Sequence, residues 1–202
     1  MTTVLKAILA VAATASLIGL PGAASAATQT FQCDPGHTEI RFSWFHAGFA
    51  RQSGEFTGFD CKLVLDDETP ANSTLAVTIK VDSMNTGVPD LDKDLKSDNF
   101  FDAAGFPEIK FESTSVKKTG ATSANVAGKL TIKGITRPVT LEVSLVNKGK
   151  HPTGEFFEYY KGEWAGFRAE ATVKRSDFKV DKYAPMVSDK VLISISTEMK
   201  GL

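Results

Sequence analysis

Only three histidines, His37, His46 and His151, and two cysteines, Cys33 and Cys61, occur among the 202 residues. There is no H-E-x-x-H, C-x-x-C or G-x-S-x-G sequence, and no glycine-rich phosphate loop. A zinc protease centre, a dithiol redox pair, a serine-hydrolase triad and a nucleotide cradle therefore all lack their anchor residues. Asp90, Asp92 and Asp94 are spaced like the start of a calcium loop. Position six is Leu95 instead of Gly, however, and position twelve is Phe101 instead of Glu, so that motif fails. Neither sign of charge is in excess, with 23 Lys and Arg against 24 Asp and Glu. That balance excludes strong electrostatic attraction to nucleic acid or to an anionic membrane surface. Beyond residue 20 no apolar run approaches the roughly 20 residues that a membrane span requires. Internal repeats and low-complexity tracts are also missing.

What is there begins with a leader. A short basic start ending at Lys6 precedes an apolar run from Ala7 to Leu20. Pro21-Gly22 then breaks any helix, and Ala24-Ser25-Ala26 supplies the small residues of a cleavage site. Residues 1–26 are read as a cleaved secretory signal peptide and 27–202 as one domain. No cysteine stands at the junction, which argues against a lipoprotein. Removal of the leader takes away one lysine, so 22 basic residues face 24 acidic ones. Export to an oxidising compartment suits a disulfide. If the chain reverses near Ala47 to Ala50, residues whose numbers sum to about 94–100 lie opposite one another. Cys33 and Cys61 satisfy that sum, so a bridge across a strand pair is expected; two free thiols or metal ligands are the alternative.

Period-two alternation dominates the rest. Ile40, Phe42 and Trp44 alternate with Arg41 and Ser43, and Leu75, Val77, Ile79 and Val81 alternate with Ala76, Thr78 and Lys80. The same pattern recurs at Leu130 and Ile132, from Val139 to Leu145, and from Val191 to Ile195. Further strands are expected over 54–65, 108–116 and 163–173. About eight strands joined mostly by short turns pair antiparallel, and eight can close into an up-and-down barrel that leaves no exposed edge. A two-sheet sandwich alternates in the same way.

The long connection from Asp82 to Pro107 stands apart. Its sequence LDKDLKSDNFFDAAGFPEIKF, Leu91 to Phe111, is dense in charge yet carries Phe100, Phe101, Phe106 and Phe111. A short helix is expected over 91–97, with Asp98 capping a further turn through Phe101. An eight-stranded barrel has an interior just large enough to be filled by side chains or to hold one small ligand. The phenylalanines therefore either plug a solid core or cover a ligand cavity. His46, after Trp44-Phe45 and before a turn, falls at a strand end; it is a head-group contact, one ligand to a haem, or a solvated turn residue.

Four segments together resemble the YceI-like family: 91–116, GKLTIKGITRPVTLEVSL, AGFRAEATVKRSDF and VSDKVLISISTEMKG. HTEIRFSWFHAGFARQSGEFTGFDCKLVLD extends the likeness, which covers nearly all of 32–201. The resemblance implies an all-β, eight-stranded antiparallel lipocalin-like barrel, with a short helical lid segment between strands 3 and 4. It further implies a periplasmic protein that binds a polyisoprenoid, such as an isoprenoid quinone or a polyprenyl phosphate, in an apolar channel. Dimerisation is expected on the same ground. In such a barrel Phe42, Trp44, Phe56, Phe111, Phe167 and Ile193 are expected on the wall, Phe100, Phe101 and Phe106 in the lid, and His46 at the mouth. The segment HPTGEFFEYYKGEW, 151–164, is longer and more aromatic than the family's corresponding loop and is expected to lie near the mouth.

Three functional classes follow from these readings. A binding or carrier protein for a long amphiphilic lipid needs no catalytic residues and no cofactor beyond the bound lipid. An enzyme would need an acid–base pair in the cavity, and none is evident apart from His46. An interaction module with a solid core, serving for example a membrane redox protein, would present a large exposed apolar patch.

Overall fold

The computed structural model describes residues 28–202. The expected leader and its cleavage site lie outside the described residues. Ten strand segments follow in order: β1 (Gln29–His46), β2 (Ala50–Phe56), β3 (Phe59–Leu65), β4 (Thr74–Lys80), β5 (Met84–Asn85), β6 (Glu108–Lys118), β7 (Ser123–Ile132), β8 (Ile135–Lys150), β9 (Glu163–Lys174) and β10 (Lys190–Gly201). Every pairing between them is antiparallel, and β10 pairs back onto β1 to close the sheet.

The ten segments build eight barrel strands, because two of the eight are broken. Both β2 and β3 run along β1; β2 pairs with its second half and β3 with residues 29–32. Between them the chain breaks at Thr57-Gly58, inside the continuous strand expected over 54–65. The neighbouring strand breaks at the same level, where the single turn Val81–Ser83 separates β4, which pairs with β3, from β5, which pairs with β2. The two interruptions are tied together. Thr57 donates its N–H to the Ser83 carbonyl, and the Ser83 hydroxyl donates to the Gly58 and Lys80 carbonyls. A Cβ on Gly58 would lie 2.9 Å from that of Ser83, so the close approach requires glycine.

Alternation sets the inside of the barrel. Ile40, Phe56, Ile109, Phe111, Val126, Leu130, Leu141, Ala169 and Val173 are buried in one continuous core. Phe111 reaches across to Gly128, where a Cβ would stand 2.4 Å from the ring, so an aromatic side chain fills the space a glycine leaves. The β7–β8 hairpin turns through Lys133 and Gly134, both at positive φ, as a two-residue turn of type I′ demands.

The two ends close differently. At the end holding the β1–β2 turn, the helix α1 (Pro89–Lys96) and the residues after it fold over the barrel. The helix begins two residues earlier than expected, with proline in its first turn, where the missing N–H costs nothing. Asp98 does not cap a further helical turn. Residues 98–101 form hydrogen-bonded turns in which the Ser97 carbonyl accepts from Phe100 and Asp102, while the Asp98 carbonyl accepts from Lys133. At the opposite end Phe31, fully buried, packs with Ala165 and Met199 as a second, smaller core. Beside it Cys33 and Cys61 form a disulfide, one step beyond the last β1–β3 pair, Gln32–Lys62.

Candidate functional site: an apolar cavity inside the barrel

Between these two ends lies a cavity of about 310 Å³. Its wall comes from every barrel strand and is overwhelmingly aliphatic and aromatic, with Thr38, Ser73, Thr74 and Thr197 among its few polar side chains. Thr38 and Thr197 satisfy each other through a 2.6 Å hydroxyl pair. Cavities of this size and lining are typical of small-molecule sites. Among the described residues, Arg41 and Arg175 are the charged residues that reach the lining.

The structure brings the residues expected on the wall around this cavity. Phe42, Trp44, Phe56, Phe111, Phe167 and Ile193 all line the cavity. Phe42 lies between Trp44 and Phe56 in a run of contacting rings, with centroids 5.7 and 5.1 Å away. From the lid, Phe100 and Phe101 also reach the wall, joined by Leu95 of α1. Phe100 is buried among core residues whereas Phe101 is half-buried at the boundary, so the two combine plug and cover.

His46 and Phe106 are elsewhere. His46 is exposed and meets the rest of the protein through a backbone bridge to Val187; only the Val187 side chain reaches the cavity. Phe106 is partly exposed and packs over Gly134, holding the lid against the β7–β8 turn. The aromatic segment 151–164 contributes no residue to the wall. It folds at the opposite end, against the outer side of β1 and β10, where the Tyr159 hydroxyl donates to Asp34 and the Tyr159 carbonyl accepts from Lys200.

Sequence reasoning passed over a second covering segment, residues 175–189, which faces the helical lid. Phe178, Val180 and Val187 project from it into the cavity. Arg175 holds the segment by four bonds to backbone carbonyls: Nε to Ser188, one terminal nitrogen to both Val180 and Lys182, and the other to Val187, all at 2.7–2.9 Å. Burial pushes the guanidinium below its usual range, while Asp189 and Asp181 oppose that shift. Asp189 accepts from both the Ser176 N–H and hydroxyl, which fixes the start of the segment. The available signal was the one that marked the lid: isolated apolar residues in an otherwise charged stretch.

A closed antiparallel barrel with an internal apolar cavity and two covering segments defines a ligand-binding barrel of the lipocalin-like kind. A YceI-like domain matches residues 31–199, and the chain belongs to that family. Among its relatives, Protein YceI of Salmonella arizonae is 36% identical over 184 residues, spanning 91% of this chain and 92% of that protein. Burkholderia cenocepacia BcnA superposes with a TM-score of 0.73 at 25% identity, covering 82% of this chain and 98% of that one. A polyisoprenoid binding domain from Saccharophagus degradans shares the fold at 10% identity, with a TM-score of 0.59 over 87% of this chain and all of its own. Among the described residues no helix is long and apolar enough to cross a membrane.

Proposed function

We propose that this protein binds a long amphiphilic lipid, a polyisoprenoid such as an isoprenoid quinone or a polyprenyl phosphate, with its tail in the barrel, and carries it in the periplasm. The observation that carries the reading is the apolar, side-chain-lined cavity covered by Phe100 and Phe101. Family membership and the name of the Saccharophagus neighbour support a lipid ligand. The signal-peptide pattern and the Cys33–Cys61 disulfide support a periplasmic setting.

The energetics suit the ligand. Each methylene moved from water into such a wall contributes about 0.8 kcal/mol, so an isoprenoid tail supplies ample driving force even after much of it is offset by ordering and desolvation. Selectivity for a tail without polar groups follows from the wall, because a polar group inside would lose its water partners and find few replacements. Phe42, Trp44, Phe56, Phe100, Phe101, Phe111, Phe167 and Ile193 are the proposed tail contacts. His46 and Phe106 belong to the surroundings of the covering segments.

The test is mass spectrometry of an organic extract from protein purified out of its native compartment without detergent. A stoichiometric isoprenoid supports the reading and its head group identifies the lipid. An empty extract, with no binding of added quinone or polyprenyl phosphate, refutes it.

A further inference from the structure

On the outside of the barrel, at the end away from the helical lid, we propose a binding site for a divalent transition-metal ion of the zinc class, ligated by Asp34, His37 and Glu198.

The site originates in a strand irregularity. Along the β1–β10 ladder Cys33 pairs with Met199 and the next pair is Thr38 with Thr197, so residues 34–37 of one strand face Glu198 alone on the other. The surplus residues, Asp-Pro-Gly-His, must loop outward, and Pro35-Gly36 is a dipeptide suited to that reversal. The loop brings both its ends over Glu198. One donor atom each from Asp34, His37 and Glu198 lies within 4.8 Å of the others. Tetrahedral ligands about 2.0–2.2 Å from one zinc-class ion stand about 3.3–3.6 Å apart, so the widest gap closes by about an ångström while the Asp34–His37 pair opens by somewhat less.

Supporting groups already prepare these three for a cation. The Asp34 side chain is only 5% exposed, and its Oδ1 accepts from the Gly36 N–H at 3.1 Å and from the Tyr159 hydroxyl at 3.0 Å. Those two donors saturate one carboxylate oxygen and aim the other, Oδ2, at His37 Nδ1, 2.6 Å away. Glu198 Oε2 is sealed from solvent and makes no hydrogen bond of normal geometry. His151 stands behind it. Its Nδ1 accepts from the Thr153 N–H, which leaves Nε2 to carry the proton, 3.3 Å from Glu198 Oε2. That is a second-layer contact of the sort that orients a ligating carboxylate.

Stacking on Tyr160 at 4.6 Å between centroids, and packing near Trp164, fix the His151 ring. The long aromatic segment 151–164 thus has a role that the cavity does not give it: it walls this site. One imidazole and two carboxylates select a borderline transition ion over calcium or magnesium, which prefer oxygen alone. On binding, the ion takes the place of the proton shared by Asp34 and His37, and that proton leaves to solvent. The site lies on the outer face, so it stands independently of the lipid reading.

The experiment is calorimetric titration of the folded, disulfide-bonded protein with zinc chloride after chelator treatment, paired with the absorption spectrum of the cobalt(II)-loaded form. Wild type and H46Q, a change at a distant histidine, should bind one ion per chain. H37Q, whose side chain is half-exposed, and E198Q should each weaken binding by at least about a hundredfold; H151Q should weaken it by about tenfold to a hundredfold, as loss of an orienting partner does. Failure of wild type to take up zinc overturns the proposal, as does uptake by H37Q equal to wild type. Should E198Q not fold, H37Q decides alone.

Discussion

Replacing Arg175 with alanine removes the side chain that makes the most hydrogen bonds to residues 180–188. Its guanidinium satisfies four carbonyls along that segment, from Val180, Lys182, Val187 and Ser188. A hydrogen bond to a charged group contributes about 1.5–3 kcal/mol, but the four share one half-buried side chain and the freed segment can turn its carbonyls to water. An overall loss of about 2–4 kcal/mol is therefore expected, well below four independent bonds. For a domain of this size that lowers Tm by about 5–15 °C. R175K should recover only part of the loss, because a lysine ammonium cannot reproduce the planar fork. Urea denaturation gives the stability, and amide exchange locates it: protection should fall at Val180, Val187 and Ser188, whose N–H groups bond Arg175, Tyr183 and Phe45. A loss under about 1 kcal/mol, below even one charged bond, with unchanged exchange at those amides would refute the strap.

Three further outcomes are expected. The double variant C33S/C61S reopens a 28-residue separation, and the chain-entropy relation puts the loss at about 3.6 kcal/mol, read as a shift of the urea midpoint; an unchanged midpoint would mean that the barrel constrains these strands without the bridge. F101D places a carboxylate at the half-buried edge of the cavity and should weaken binding of a quinone at least about tenfold, or 1.4 kcal/mol, with the circular dichroism of the folded barrel retained; equal affinity would remove the lid from the site. The Asp34–His37 pair should respond to pH on both sides. Its bond to Asp34 raises His37 above the ordinary histidine range, so that contribution is complete below the unfolded value and fades as pH rises through the folded one. Burial pushes Asp34 up, but the bonds from His37, Gly36 and Tyr159 outweigh it and hold the carboxyl below its usual range. That contribution is present above the unfolded carboxylate value and is lost as pH falls through the folded one. NMR titration of His37 in wild type and D34N tests the first half, with an identical midpoint in both as the contrary result.

The barrel was legible because alternation is a property of single residues and their neighbours. Ile40, Phe42 and Trp44 could face only one way once the strand was recognised, and all three line the cavity. The cysteine pairing was legible for a similar reason, since a hairpin with a known turn fixes which numbers stand opposite. Other features depend on contacts remote in sequence. The break at Thr57-Gly58 exists because Ser83, in another strand, supplies its hydrogen bonds. His46 continues the inward series Ile40, Phe42, Trp44, yet the 183–187 segment pairs with its backbone beyond the end of the cavity and leaves the ring outside. The aromatic segment 151–164 gave its composition but not its side of the wall, because that is decided by which face of β1 and β10 offers Asp34 and Glu198.

The paired interruptions at Gly58 and Ser83 also determine where the barrel can part. Below them β4 is hydrogen-bonded to β6, and the last link on that side is the Val81 N–H to the Pro107 carbonyl. Above them β5 departs to pair with β2, and among the described residues no ladder joins β5 to β6. That stretch of the circumference is filled by packing from α1 and the turns that follow it, with Leu95 and Phe100 as its inner surface. At that level the cylinder is therefore closed by side-chain packing and not by backbone hydrogen bonds, so its wall there depends on Leu95 and Phe100 keeping their places.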